Sequence, residues 1–229
     1  MIRFHNTATG SLYPLTGEVA NSSLDYFVDD MVRYTFSDSL TRGYDRSFGR
    51  WVIYGSSPQM GGNSAITVSQ VPNSTTGGTL DVTAVLGESF QYPFEGIGTL
   101  PASKNSGVIM NLSSMSSFTF DARGQGTLRM RFGSDLLDEA DEQRQYSYTF
   151  GLTEDWQQIE VTPEMLQLFT YDADAEAQFP WADASKRINR IEFEFSYFHN
   201  SIGDTLCFES ESMIFHGVRF EEMVELPVK

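Results

Sequence analysis

Thr127-Leu128-Arg129-Met130-Arg131-Phe132 alternates strictly, with Leu128, Met130 and Phe132 on one side and Thr127, Arg129 and Arg131 on the other. Ile191-Glu192-Phe193-Glu194-Phe195 repeats the pattern, with carboxylates where the first stretch has arginines. Successive side chains of a strand point to opposite faces, so a period of two marks strands with one buried face. Residues 34–36, 50–54, 65–71, 78–86, 107–110, 117–121, 145–150, 156–161, 205–209 and 213–220 extend the strand reading in both directions. Gly61-Gly62, Gly77-Gly78, Arg123-Gly124-Gln125-Gly126 and Asn200-Ser201-Ile202-Gly203-Asp204 supply turn chemistry between them. Many short strands separated by such turns predict an all-β fold, an antiparallel two-sheet β-sandwich.

Helix is scarce, and at most one or two short ones are expected. Thr162-Pro163-Glu164 opens the best of them, with Thr162 as N-cap and Pro163 at the first helical position. The acidic stretch 135–142 reads as a solvated loop. Residues 1–23 have weak periodicity and read as an extended or poorly ordered arm, leaving 24–229 as a single sandwich domain.

The 229 residues carry 15 Lys and Arg against 31 Asp and Glu, a formal charge of −16. That balance argues against nucleic acid, whose affinity rests on Lys and Arg displacing counterions, and against an anionic membrane surface. With 40% hydrophobic residues the chain has ample core material, but no run long enough for a membrane helix. The N-terminus, Met1-Ile2-Arg3-Phe4-His5-Asn6, lacks the apolar region of a signal peptide. The expectation is an extracellular or periplasmic protein whose leader has been removed, with the cytosol as the alternative. The single cysteine, Cys207, excludes an intrachain disulfide and reads as a small buried thiol.

The sequence holds no P-loop, no Rossmann glycine pattern, no G-x-S-x-G and no H-E-x-x-H. His5, His199 and His216 stand on separate segments without ligand spacing. Carboxylate pairs occur at Asp29-Asp30, Asp172-x-Asp174-x-Glu176 and Glu209-x-Glu211, where chance pairs are expected in so acidic a chain. A hydrolase or lyase using one of them would need a defined separation and one carboxyl kept protonated.

Neutral sugars are held by flat aromatic faces together with polar side chains that bond their hydroxyls. Trp51, Tyr54, Tyr92, Tyr146, Tyr148, Tyr171, Trp181 and Tyr197 are the rings to weigh, while Trp156, opening a strand, reads as core. Tyr146 and Tyr148 share a strand face, and Trp181 lies in a loop. Arg129, Arg131, Glu192 and Glu194 would line one sheet face if their strands are neighbours. Such a row either binds hydroxyls or is a plain ion-paired surface.

Several segments, taken in order, resemble a known family. They are Phe48-Gly49-Arg50-Trp51-Val52-Ile53-Tyr54, Gly78-Thr79-Leu80-Asp81-Val82-Thr83, Tyr92-Pro93-Phe94-Glu95-Gly96-Ile97-Gly98, Ser117-Phe118-Thr119-Phe120-Asp121-Ala122-Arg123-Gly124-Gln125-Gly126, Asp155-Trp156-Gln157-Gln158-Ile159 and Val218-Arg219-Phe220. The order is similar to that of family 11 carbohydrate-binding modules and of the complex I intermediate-associated protein 30 domain. The resemblance implies a galactose-binding-like jelly roll with a concave sheet that holds a glycan and no catalytic residues. It also implies a structural calcium, for which Asp38 answers the first acidic position. The closing strand, Phe215-His216-Gly217-Val218-Arg219-Phe220, lacks the acidic pair that would complete the set. No other cofactor is expected.

The expected function is noncatalytic binding of a neutral polysaccharide or oligosaccharide, within a larger secreted or periplasmic protein. The expected ligand-binding residues are Arg129, Arg131, Tyr146, Tyr148, Glu192, Glu194, Trp181 and Tyr92. The alternatives are a protein-interaction or assembly domain on the same scaffold, and a small polysaccharide hydrolase or lyase.

Overall fold

The computed structural model describes residues 3–6, 11–14, 26–27, 43–45, 49–56, 62–71, 79–100, 108–140, 144–169, 178–217 and 223–225. In chain order the strands are β1 (Arg3–Asn6), β2 (Ser11–Pro14), β3 (Tyr26–Phe27), β4 (Gly43–Asp45), β5 (Gly49–Gly55), β6 (Ala65–Val71), β7 (Thr79–Val85), β8 (Phe94–Leu100) and β9 (Val108–Met110). They continue as β10 (Ser117–Gln125), β11 (Thr127–Ser134), β12 (Gln145–Gly151), β13 (Gln157–Val161), β14 (Gln167–Phe169), β15 (Ile188–Ser196), β16 (Thr205–His216) and β17 (Met223–Glu225). Two short helices are α1 (Asp135–Ala140) and α2 (Trp181–Ala184).

Every strand pairing among the described residues is antiparallel. The smaller sheet has the order β13-β10-β16-β7-β6, with β3 against β16. The larger has the order β14-β12-β11-β15-β8-β5-β4, with β9 bridging β15 and β17. β1 and β2 form a separate two-stranded ribbon. Between β10 and β11 the chain passes from one sheet to the other through Gly126, whose φ of +112° lies where a side chain would be strained.

Inward-facing rings of the two sheets meet in the core. Phe120 of the smaller sheet contacts Phe150 and Phe193 of the larger at 5.6 and 5.5 Å, and Phe193 contacts Phe208 at 5.2 Å. Edge and tilted contacts of this kind add to the burial of large apolar area that holds a sandwich together. The apolar halves of the two alternating stretches, Leu128, Met130, Phe132, Ile191, Phe193 and Phe195, are all buried here. No described helix is long and apolar enough to cross a membrane.

Several expectations are corrected. The acidic stretch begins with a helix rather than a loop, because Leu137 at its centre is fully buried. The segment opened by Thr162 is a 3-10 turn, Pro163–Met165, without a side-chain cap, and the chain then returns to strand as β14. The two terminal strand candidates merge into the single long β16. Trp156 is not core: it is 42% exposed, and the Arg123 guanidinium lies 4.8 Å from its ring centre. Cys207 is half-buried, because alternation along β16 gives the core to Leu206 and Phe208. Residues 34–36, Asp38, Tyr171 and the 172–176 carboxylates lie outside the described residues.

Candidate functional site

The polar halves of the same strands face outward from the larger sheet. Register places Tyr54, Gly96, Glu194, Arg129 and Thr149 in one row across β5, β8, β15, β11 and β12. The next row holds Gly98, Glu192, Arg131, Ser147 and, on β14, Gln167. Arg129, Arg131, Glu192 and Glu194 are therefore brought together as cross-strand pairs, Arg129 opposite Glu194 and Arg131 opposite Glu192.

These charges form one connected layer. Glu194, only 2% exposed, receives hydrogen bonds from both Arg129 and Arg131. Arg131 also reaches Glu192 at 3.2 Å and donates to the Gln145 side chain. Arg190 lies 3.4 Å from Glu192 and grips Asp138 of α1 through two bonds of 2.5 and 2.8 Å. Aromatic faces flank the layer, with Arg129 4.9 Å from the centre of Phe169 and Arg131 5.8 Å from that of Tyr54. Buried ion pairs persist only when so densely paired, since desolvation opposes each charge.

Glycines keep the layer thin. A Cβ at Gly96 would strike the Tyr54 ring, and one at Gly133 would strike the Arg190 guanidinium. One at Gly98 would come within 2.9 Å of the Glu192 side chain. Tyr54 and Arg190 thus lie flat against the backbones of neighbouring strands, forming a floor instead of projecting from it.

Burial disfavours the Arg131 cation, but Glu192 and Glu194 outweigh it and hold the group above its usual pKa. Burial, then Glu192, pushes the Tyr54 phenol well above its ordinary value, so it keeps its proton as a hydrogen-bond donor. Yet the Tyr54 hydroxyl and Arg129 Nε are buried without any hydrogen bond, whereas Glu192 Oε2 has the Arg131 guanidinium 3.2 Å away. Two unused donors in one row of the face, on β5 and β11, are costly for folding alone.

The other expected site residues divide. Tyr146 and Tyr148 face the core, because register sets them opposite Phe132 and Met130. The Tyr146 hydroxyl donates to the carbonyl of Phe179 at 2.8 Å. Trp181 packs edge-on against Tyr146 and Phe132, at 5.2 and 5.5 Å, on that same inner side. Tyr92 is exposed on the loop before β8 and contacts Tyr197 at 5.3 Å. Tyr54 is central to the floor, whereas the sequence marks it only as one ring among eight. Arg190, Asp138, Gln145 and Phe169 were missed. The signal available for Tyr54 was the Gly-x-Gly of β8, two glycines on one strand face that demand a covering side chain.

The carboxyl of Glu95 is pushed up to about 7 by burial, but Glu95 pairs with Phe195 and Gly55 on the core side of the sheet. Among the described residues no three His, Cys, Asp or Glu side chains gather as metal ligands. At the closing strand, Phe215 is buried in the core and His216 lies 2.8 Å from the Thr119 hydroxyl.

No protein-family model and no curated protein matches the sequence. Solved structures do match by fold. The chain is similar to the family 11 carbohydrate-binding module of the cellulosomal cellulase Lic26A-Cel5E of Clostridium thermocellum, with a TM-score of 0.58 and 14% identity over 86% of this chain and 97% of that one. It is also similar to the family 11 module from Clostridium thermocellum in complex with a β-1,3-1,4-mixed-linked tetrasaccharide, with a TM-score of 0.56 and 13% identity over 85% and 96%. The sandwich is the fold of these modules.

Proposed function

We propose that this protein is a noncatalytic carbohydrate-binding module that holds a neutral glycan chain on the outer, concave face of its larger sheet, as part of a secreted or periplasmic protein. The observation that carries the reading is the pair of buried donors without hydrogen bonds, Tyr54 Oη and Arg129 Nε, in one row of that face. Both donors are covered by neighbouring side chains in this structure, and sugar hydroxyls accept as well as donate, so a glycan whose hydroxyls displace that cover satisfies the phenol and the guanidinium together. The faces of Tyr54 and Phe169 supply apolar contact for the C–H surfaces of its rings. The fold shared with the family 11 modules, one of them solved with a tetrasaccharide, supports the same reading.

Charge supports a neutral ligand. Arg129, Arg131 and Arg190 are matched by Glu192, Glu194 and Asp138, so the floor has no excess of either sign. The carboxylates of the face also suit binding better than hydrolysis. Glu192 and Glu194 are ion-paired to arginines, whereas a glycosidase keeps one acid protonated beside the bond it cleaves. Affinity electrophoresis against soluble polysaccharides tests the proposal: at least one neutral glycan retards the protein, and no retardation by any of them would refute it.

A further inference from the structure

Two loops meet at the end of the sandwich nearest Arg129 and Glu194. One joins β7 to β8 and the other joins β15 to β16, each passing from one sheet to the other. Backbone bonds from Tyr197 to Pro93, at 3.0 Å, and from Gly203 to Leu86, at 2.9 Å, tie them together. On this junction Tyr197 packs against the core and contacts both Tyr92, at 5.3 Å, and Phe198, at 4.1 Å. Tyr92 is 51% exposed and Phe198 54%. Single exposed rings are ordinary on protein surfaces. Three rings joined through Tyr197, the outer two half open to solvent, form a prepared surface that core packing does not explain.

This surface continues the floor. Ser196 and Phe94 pair in the row beyond Glu194 and Gly96, and the Phe94 ring contacts Tyr54 at 6.2 Å. Phe198 follows Glu194 by four residues, a reach of at most about 14 Å. The adjoining His199 feels the same ion pair: partial desolvation and then Arg129 hold its pKa down, with Glu194 opposing. The three rings carry no charge, and an anchored aromatic face of that kind suits the C–H side of a sugar ring.

We infer that Tyr92, Tyr197 and Phe198 form a second subsite, a stacking shelf that takes the glycan residues extending past the Arg129–Glu194 end of the floor. This rests on the carbohydrate-binding reading. Its consequence is a preference for chains long enough to span floor and shelf.

The test is titration calorimetry with a length series of oligosaccharides from whichever glycan retards the protein, using wild type, Phe198→Ala, Tyr92→Ala, Phe198→Tyr and Met165→Ala. All are first checked for folding by circular dichroism. In the wild type, affinity rises about ten-fold between oligomers that fill the floor and those that reach the shelf. The rise is lost in Phe198→Ala and Tyr92→Ala, restored in Phe198→Tyr, and kept in Met165→Ala, which alters an exposed residue of the 3-10 turn. A length gain absent from the wild type, or undiminished in both alanine variants, overturns the shelf alone. A wild type that binds no glycan overturns the binding reading and the shelf with it.

Discussion

Two single residues expose the difference between folding and function. Glu95 is fully buried, with neither carboxyl oxygen hydrogen-bonded, and its carboxylate fills the space that a side chain at Gly55 would take. Its pKa rises from 4.5 to about 7 on folding, so the folded chain holds a proton that the unfolded chain has released between those values. Stability from this group is full below pH 4.5 and is lost as the pH rises through 7, by about 3 kcal/mol in all. Glu95→Gln is expected to flatten that slope, as urea denaturation at pH 5 and pH 8 would show; an equal slope in both proteins would contradict it. Tyr54 behaves oppositely. Removing its unpartnered hydroxyl in Tyr54→Phe is expected to leave stability unchanged or raise it by about 1 kcal/mol, while weakening glycan binding about ten-fold. Denaturation and calorimetry on the same variant separate the two effects. The Gly-x-Gly of β8 calls for a covering ring without saying that Tyr54 supplies it, and alternation along β8 gives no sign that Glu95 is buried unpaired.

At the scale of elements, alternation in β11 and β15 was enough to predict which side chains share a face, and the cross-strand pairs follow from it. The same alternation grouped Tyr146 with Tyr148 correctly but left open which face they occupy. That choice is set by register with β11, where both meet core residues and the small Ser147 and Thr149 take the outside. Composition misled at α1, where acidic residues suggested solvent. The helix is instead pinned by Leu137 beneath it and by Asp138, whose bidentate grip on Arg190 joins it to the site. Asp138→Ala is expected to cost about 3 kcal/mol by leaving a largely buried guanidinium without its main partner. Chemical denaturation checks this, and a loss under 0.5 kcal/mol, the size of an ordinary surface change, would show the contact to be incidental.

Across the whole molecule, the net charge of −16 and the balanced floor tell different stories. Excess acid distributed elsewhere favours solubility, whereas the face proposed to meet the glycan has its charges cancelled in fixed pairs. Binding through hydrogen bonds and ring contacts to a neutral ligand leaves no counterions to release, so affinity should hardly change with salt. Affinity electrophoresis of the wild type and Tyr54→Phe against neutral and acidic polysaccharides, at low and high ionic strength, puts this most directly. The expected result is retardation by at least one neutral glycan, little altered by salt and reduced in Tyr54→Phe. Retardation by none of them, or only by acidic glycans in a salt-sensitive way, would contradict the assignment of the larger sheet's outer face as a glycan-binding floor.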